Sequence, residues 1–189
     1  MKRYILMPFI FISFSIFAQT KTEFEKKVDE SKVPSIAVEG LHKCFTEDVK
    51  IKWYFQKDGK KEVYEAKFDN LDKFFSVEFD VEGDIENVEI LVDKKDLDKL
   101  TKERLENTLS AEFKDFEIVK IQKEYLGDED ELIKTIEGQI VEDIITNFEI
   151  EVNAKIDKRR QLYELMINEN FEIKRKRKIK LQSTDILDY

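Results

Sequence analysis

Four stretches of alternating apolar and polar residues between positions 49 and 92 constrain the fold more than any other feature of this sequence. Their apolar positions are Val49, Ile51, Trp53 and Phe55; Tyr64, Ala66 and Phe68; Phe75, Val77, Phe79 and Val81; and Val88, Ile90 and Val92. A period of two predicts strands with one buried and one solvated face. Asp58-Gly59, between the first two stretches, is typical of a hairpin turn because glycine tolerates a positive φ. The sequence therefore predicts a four-stranded antiparallel meander with one apolar and one charged face.

A short helix is predicted immediately before this meander. Pro34 suits a first helical turn because its missing N–H needs no partner there, and Ala37, Leu41 and Phe45 recur every four residues. The helix can therefore cover the apolar face of the strands. Cys44, the sole cysteine, lies beside this apolar stripe. It is either a reactive or intermolecular thiol or a small buried side chain, and its position favours the second interpretation.

The second half repeats this pattern with weaker signals. Leu105, Leu109 and Phe113 each lie 68 positions after the three apolar residues of the first helix. Further along, an offset of 88 aligns Ala66 with Ala154 and the apolar positions of the third strand with Tyr163, Leu165 and Ile167. Self-similarity of this kind indicates a duplication. The predicted fold is therefore α+β, with two tandem repeats that each pack a helix on one face of a four-stranded antiparallel sheet.

The N-terminus predicts an exported protein. Lys2 and Arg3 precede an apolar run from Tyr4 to Phe17, and Ala18 offers a small residue for cleavage. The run is shorter than the roughly 20 residues of a membrane span. We therefore expect a periplasmic or secreted protein, cleaved after Ala18 and left without a span, with an uncleaved anchor as the alternative. The expected segments are a signal peptide at 1–18, a lead-in at 19–32, a first repeat at 33–93, a connector at 94–100 and a second repeat at 101–189.

An insertion at about 127–147 interrupts the second repeat. It opens with four contiguous acids, Asp128 to Glu131, and continues with isoleucines at helical spacing: Ile133, Ile136, Ile140 and Ile144. Acids favour the first turn of a helix, which suggests an extra surface helix with a polar start. The alternative is a calcium site, although the acids are not spaced as in an EF-hand loop. The helix is the favoured interpretation.

The last predicted strand, Phe171 to Leu181, carries a basic run. Ile173 shares a phase with Arg175 and Arg177, while lysines occupy the opposite phase. A basic run suggests nucleic-acid binding, but the formal net charge of −9 and the export signal disfavour it. We therefore expect no nucleic-acid partner, and instead an edge strand whose bases pair with neighbouring acids.

Residues that support catalysis or metal binding are scarce. His42 is the sole histidine and lies two positions from Cys44, so the two side chains would not face each other on a helix. A zinc site needs more His or Cys ligands than the chain holds, and the sequence has no glycine-rich phosphate loop. The 42 acids are too many for spacing to single out a catalytic pair. We therefore expect no enzymatic activity, no cofactor and no metal.

Several segments together resemble a known class of exported bacterial protein. They are VPSIAVEGLHKCF from Val33, VKIKW from Val49, YEAKF from Tyr64 and VEFDVEGDIENVEI from Val77. With the export signal and the weaker second copy, they resemble the beta-lactamase-inhibitor-like, PepSY-like proteins, and the resemblance covers most of the chain after the signal. The second copy departs from the pattern, since Lys102 stands where Pro34 would be and Ile121 replaces Trp53.

The resemblance implies a non-catalytic binding module of the cell envelope that binds a protein partner through an exposed sheet face. One form of this hypothesis is that the module inhibits its partner. The alternative is a periplasmic sensor of a small ligand or cation that uses the acidic segment at Asp128 to Glu131. Candidate binding residues on the charged face are Lys50, Lys52, Tyr54, Glu65, Lys67, Phe74, Ser76 and Glu78. Tyr54 and Phe74 resemble interface anchors, although an ordinary solvated sheet face with scattered aromatics stays open. Trp53 shares the phase of the apolar positions Val49 and Ile51, so we expect it in the core.

Overall fold

A computed structural model describes residues 19–21, 24–142 and 144–180 of the chain. The predicted signal peptide, residues 1–18, lies outside these ranges. Within them, none of the helices has the length and apolar character needed to cross a bilayer.

The described residues form ten strands and three α-helices. The strands are β1 Gln19–Lys21, β2 Phe24–Val28, β3 Lys52–Asp58, β4 Lys61–Asn70, β5 Lys73–Phe79, β6 Ile85–Leu91, β7 Phe116–Leu126, β8 Ile145–Ile156, β9 Arg159–Ile167 and β10 Ile173–Ile179. The helices are α1 Ser35–Lys43, α2 Lys99–Glu112 and α3 Glu129–Ile136, and short 3-10 turns cover Glu30–Lys32 and Lys94–Asp96. The predicted hairpin joins β3 to β4, with Gly59 at a φ of +64°.

All ten strands join one sheet, in the order β1-β10-β9-β8-β7-β6-β5-β4-β3-β2. Nine of them pair antiparallel in succession, and β1 adds to one edge parallel to β10. The prediction of two tandem repeats, each a helix on its own four-stranded sheet, is therefore wrong. β6 and β7 pair from Val88–Tyr125 to Leu91–Gln122, so the ladder runs through the middle of the chain. This pairing satisfies N–H and C=O groups that two separate sheets would leave exposed at their edges.

The predicted lead-in at 19–32 is also part of the sheet. β2 pairs with β3 at one edge, and β1 pairs with β10 at the other. Neither segment shows the apolar alternation of a half-buried strand, and the five residues of β2 read FEKKV. Backbone hydrogen bonds to an open sheet edge decide their conformation, and such bonds leave no periodic signal in the side chains.

All three helices pack on the apolar face of the sheet. Ala37 and Leu41 of α1 belong to a first core cluster, which also contains Trp53, as its phase predicts. The predicted helical stripe of the second half is confirmed as core. Leu105, Leu109 and Phe113 are all buried, in a second cluster over β7, β8 and β9.

α3 is a core element rather than the extra surface helix that the sequence suggests. Leu132 and Ile136 are fully buried in the first cluster, whereas Ile140 lies beyond the helix and is 96% exposed. The helix packs against β6 and β7. α1, with nine residues, is only about 14 Å long and cannot cover the first half of so wide a sheet alone. α3 therefore covers the part of the first core cluster that α1 does not reach.

The sheet is strongly curved. Arg177 of β10 forms an ion pair with Asp58 at the end of β3, although seven strand-to-strand steps separate these two strands. At about 4.8 Å per step, a flat sheet would hold them roughly 34 Å apart. The sheet must therefore bend so that the face carrying both side chains is concave. This is the polar face, opposite to the helices.

Candidate functional site on the concave polar face

The concave polar face forms a trough of about 680 Å³ that is lined mainly by charged side chains. Its acidic residues are Glu25, Asp58, Glu65, Glu78, Glu89, Glu124, Glu149 and Glu151, and its basic residues are Lys61, Lys67, Lys120, Arg175, Arg177 and Lys180. Several polar side chains of this face are less than 10% exposed, although the helices lie on the other face. The curvature of the sheet is therefore what removes them from water.

Part of the predicted binding surface forms one row across three strands. Lys52 lies directly opposite Lys67, and Lys67 lies directly opposite Ser76. On the next strand the row continues with Glu89, which pairs with Ser76. The row therefore leads from the exposed Lys52 at the rim into the buried centre of the trough.

A second row carries most of the remaining predicted residues. Tyr54 lies opposite Glu65, and Glu65 lies opposite Glu78. Phe74 is half-buried and shares this face because it lies an even number of positions from Glu78 on β5. Lys50 precedes β3 and belongs to no strand, so the structure does not bring it into the rows.

Two of the predicted residues are buried rather than exposed. Glu65 is 5% exposed and Ser76 is 2% exposed. Glu65 accepts hydrogen bonds from Ser76 and Gln56, and its Oε2 lies 2.9 Å from Nζ of Lys67. Burial raises the pKa of Glu65, and the ammonium group of Lys67 partly opposes this. The sequence pattern identified the charged face of the sheet but could not show that this face folds in on itself.

Three pairs of glutamates lie directly opposite each other on adjacent strands of the trough. These pairs are Glu65–Glu78, Glu89–Glu124 and Glu151–Glu164. Like charges in directly opposed positions of a sheet are destabilising. Such an arrangement needs compensation from neighbouring cations or from protonation.

The two outer pairs receive that compensation. Lys67 contacts Glu65, and Lys61 Nζ lies 2.8 Å from Glu78 Oε2. On the opposite flank, Lys120 lies 3.5 Å from Glu151, and two arginines contact Glu164, which is 1% exposed. Burial works to lower the pKa of Lys61, but its glutamate partners raise it to about 12. Both flanks of the trough are thus paired with cations.

The central pair is different. Glu89 accepts a hydrogen bond of 2.8 Å from the side-chain amide of Gln122, and Glu124 accepts one of 2.7 Å from Asn147. Neither carboxylate makes an ion pair with another of the described residues. Burial raises the pKa of Glu89 well above its ordinary value, and the nearby carboxylates of Glu149 and Glu78 add to this shift. Burial also raises the pKa of Glu124, against the opposing hydrogen bond from Asn147.

Two amide oxygens beside this pair lack hydrogen-bond partners. Asn87 donates its Nδ2–H to Glu78 and Gln122 donates its Nε2–H to Glu89, so both amide orientations are set. The carbonyl oxygens of both side chains are buried without a donor among the described residues. A buried acceptor without a partner costs roughly 1–3 kcal/mol, so this part of the trough has unused capacity to accept hydrogen bonds.

The acidic segment proposed as a cation site serves as a helix cap. Asp128 Oδ1 accepts a hydrogen bond of 3.0 Å from the backbone N–H of Glu131, and Glu131 Oε2 accepts one of 2.9 Å from that of Asp128. This reciprocal capping box satisfies N–H groups at the start of α3. Among the described residues, no group of three or more acidic, histidine or cysteine side chains is arranged to hold a metal ion.

The sole histidine and the sole cysteine lie in different surroundings. His42 Nε2 lies 3.3 Å from Glu30, which also accepts a hydrogen bond from Trp53. Cys44 is half-buried against the first core cluster. Burial, with a contribution from the charge of Glu137, raises the pKa of the Cys44 thiol to about 11. This favours the thiol over the reactive thiolate.

Most bases of the basic run on β10 pair with acids, as expected, but the phase of the run differs from the sequence pattern. A bulge between Ile173 and Arg175 shifts the register, so Ile173 packs on the second core while Arg175 and Arg177 face the trough. Lys176 points to the other face, where it pairs with Glu112. β10 is also not an edge strand, because β1 pairs along its outer side.

Sequence reasoning missed the residues at the centre of the trough. Glu89 lies between Val88 and Ile90 and shares the charged phase of the predicted fourth strand, so its alternation was a usable signal. No such signal showed that Glu124 would lie opposite it, because that contact depends on the pairing of β6 with β7.

Comparison with solved structures finds similar proteins from Bacteroides. A DUF2874 family protein from Bacteroides uniformis ATCC 8492 aligns over 77% of this chain and 89% of its own, at 15% identity and a TM-score of 0.52. That likeness shows a shared fold. A candidate periplasmic protein from Bacteroides eggerthii DSM 20697 aligns over 77% and 88%, at 14% identity and a TM-score of 0.47. No protein-family model matches this sequence, and the curated proteins include no significant match, so the PepSY-like resemblance stays a prediction.

Proposed function

We propose that this protein is a non-catalytic binding module of the bacterial cell envelope and that its concave polar face binds a protein partner. The observation that carries the proposal is the trough, where the sheet bends around charged side chains that the apolar core does not require. Removing charges from water is costly, so a face with a purely structural role gains nothing from this arrangement. A face that receives a complementary partner recovers the cost on binding.

The rim of the trough, meaning the part of the polar face just outside its lining residues, carries two aromatic residues suited to such an interface. Tyr54 is half-buried, with Nζ of Lys67 4.7 Å from the centre of its ring, and Phe74 is half-buried on β5. Partly exposed aromatic side chains surrounded by charges resemble the anchors and polar rims of protein interfaces. The export signal predicted at residues 1–18, together with the resemblance to PepSY-like exported proteins, supports an envelope location for this binding.

The proposal is tested by capture of a partner from an envelope extract of the source organism. Tagged wild-type protein should retain one partner in stoichiometric amount, and the purified pair should form a complex of defined mass in light scattering. A double variant, Tyr54→Ala with Phe74→Ala, should retain at least tenfold less. Leu100→Ala serves as the matched control, since Leu100 is 58% exposed on α2, away from the trough.

Circular dichroism must show that both variants are folded. Equal capture by the folded double variant and the wild type would contradict binding through this face. Equal loss in both variants would show that the contact does not depend on the trough.

A further inference from the structure

The centre of the trough differs from its flanks because its carboxylates make no ion pair with another of the described residues. Lys120 acts on Glu89, and Arg175 and Lys61 act on Glu124, only through their more distant charges. We propose that Glu89 and Glu124, with the side-chain carbonyl oxygens of Asn87 and Gln122, bind an ammonium or guanidinium group. This inference rests on the proposed function, since it names the chemistry that the concave face recognises.

The central carboxylates differ from those of the flanks in how their charge is compensated. Glu89 and Glu124 are directly opposed on β6 and β7, and both are 9% exposed. The corresponding pairs on the flanks each contact lysine or arginine, which shows how the same fold neutralises opposed carboxylates. At the centre, amide groups from Gln122 and Asn147 take that place, and amides carry no charge. A bound cation would complete the centre in the way that Lys61 and Arg177 complete the flanks.

Hydrogen bonding at the centre of the trough is also incomplete, independently of charge. Asn87 is 6% exposed and lines the trough, and Gln122 is 3% exposed and bonds to Glu89. Their carbonyl oxygens are buried acceptors that no donor of the described residues reaches. A group that donates several N–H bonds at once would offer donors to such acceptors on both sides of the glutamate pair. Ammonium supplies three donors and guanidinium supplies five.

The donor set favours such an organic cation over a metal ion. Hard divalent cations take six or more oxygen ligands from carboxylates, carbonyls and waters, and the four side-chain oxygens here fall short of that number. Among the described residues, no metal-binding group of three or more acidic, histidine or cysteine side chains is formed. Two carboxylates with two amide oxygens instead match an N–H donor, because charge-assisted hydrogen bonds to carboxylates and ordinary bonds to carbonyls form together.

The site can be tested with the purified protein and small cations, before any partner is known. Isothermal titration with agmatine, which carries an ammonium and a guanidinium group, should give saturable binding with one site per chain. Tetramethylammonium has the same charge per cationic group but no N–H, and should bind at least tenfold more weakly. Glu89→Gln and Glu124→Gln should each weaken agmatine binding at least tenfold. Glu103→Gln, at an exposed position on α2, makes the same charge change and should leave binding unaltered.

Two further ligands distinguish the sources of the cation. Spermidine represents a free polyamine, and the peptide acetyl-Gly-Arg-Gly-amide represents the side chain of a protein partner. Tighter binding of either ligand supports the site and shows whether the bound cation comes from a free polyamine or from a protein side chain. Binding of calcium chloride without binding of amines would overturn the proposal, as would equal affinities for agmatine and tetramethylammonium or an unchanged affinity in both central variants.

Failure of this proposal would be distinguishable from failure of the proposed function. If the purified protein captures a partner through Tyr54 and Phe74 but binds no amine, the envelope module stands and the cation site falls. If amines bind at Glu89 and Glu124 but the rim variant still captures the partner, the cation site stands and the protein-binding face is wrong.

Discussion

The two faces of this sheet become buried in different ways. On the convex face, helices cover apolar residues such as Trp53 and Leu109, which is the usual arrangement of an α+β core. On the concave face, the sheet covers itself, and the residues that lose water include Glu65, Glu89 and Glu164. The first kind of burial stabilises the fold, while the second is costly unless each charge has a partner. The difference indicates that the convex face carries stability, and it is the basis for proposing that the concave face carries recognition.

The largest effect should come from the convex face. Leu109→Ala removes a fully buried side chain from the second core and should lower the free energy of unfolding by about 3 kcal/mol, measured by urea denaturation. Leu100→Ala makes the same change on the same helix at a position that is 58% exposed, and should cost less than about 0.5 kcal/mol. Similar losses in the two variants would contradict the assignment of this face as the stabilising one.

A smaller loss is expected where the concave face is held closed. Arg177→Ala removes hydrogen bonds to Glu164, at 2.5 and 2.9 Å, and the contact with Asp58, so it should cost about 2 kcal/mol in the same measurement. The matched control is Arg160→Ala, since Arg160 is 47% exposed and pairs with Asp115 at the surface. Surface pairs contribute about 0–1 kcal/mol. If Arg160→Ala lowers the free energy of unfolding as much as Arg177→Ala does, the contacts of Arg177 across the trough stabilise the fold no more than a surface ion pair.

The smallest effect should have the opposite sign. Glu89→Gln removes a buried charge opposite Glu124 and should stabilise the protein by about 1 kcal/mol at pH 8. The folded state raises the pKa of Glu89, so the stability associated with its protonated form is present at low pH and is lost as the pH rises through that raised value. The gain of the variant over the wild type should therefore shrink at pH 4. Besides burial, nearby charges shift the pKa of Glu89: the carboxylates of Glu149, Glu78 and Glu65 raise it, and the ammonium group of Lys120 lowers it.

Urea denaturation of both proteins at pH 4 and pH 8 checks this prediction, with Glu103→Gln as the control for net charge. A variant that is less stable than the wild type at pH 8 would show that Glu89 is already compensated within the chain. A variant that is more stable yet binds amines more weakly would show that the trough trades stability for recognition.

Much of the fold followed from local patterns in the sequence. The meander of β3 to β6, the helices α1 and α2, and the buried positions of Trp53 and Leu109 are as expected. The candidate site was recognised only in part. Alternation placed Glu65 and Glu78 on the charged face, but the opposition of Glu89 and Glu124 depends on strands that are far apart in sequence.

The sequence by itself determined which side chains share a face, because alternation and helical spacing are properties of consecutive residues. Only the tertiary structure decided that β6 pairs with β7, that α3 completes the first core, and that the polar face closes from Arg177 to Asp58. Pairing and curvature arise from contacts between distant segments, and the same alternating strand is compatible with a flat sheet or a bent one. The bend is what turned a solvated charged face into a trough with buried carboxylates.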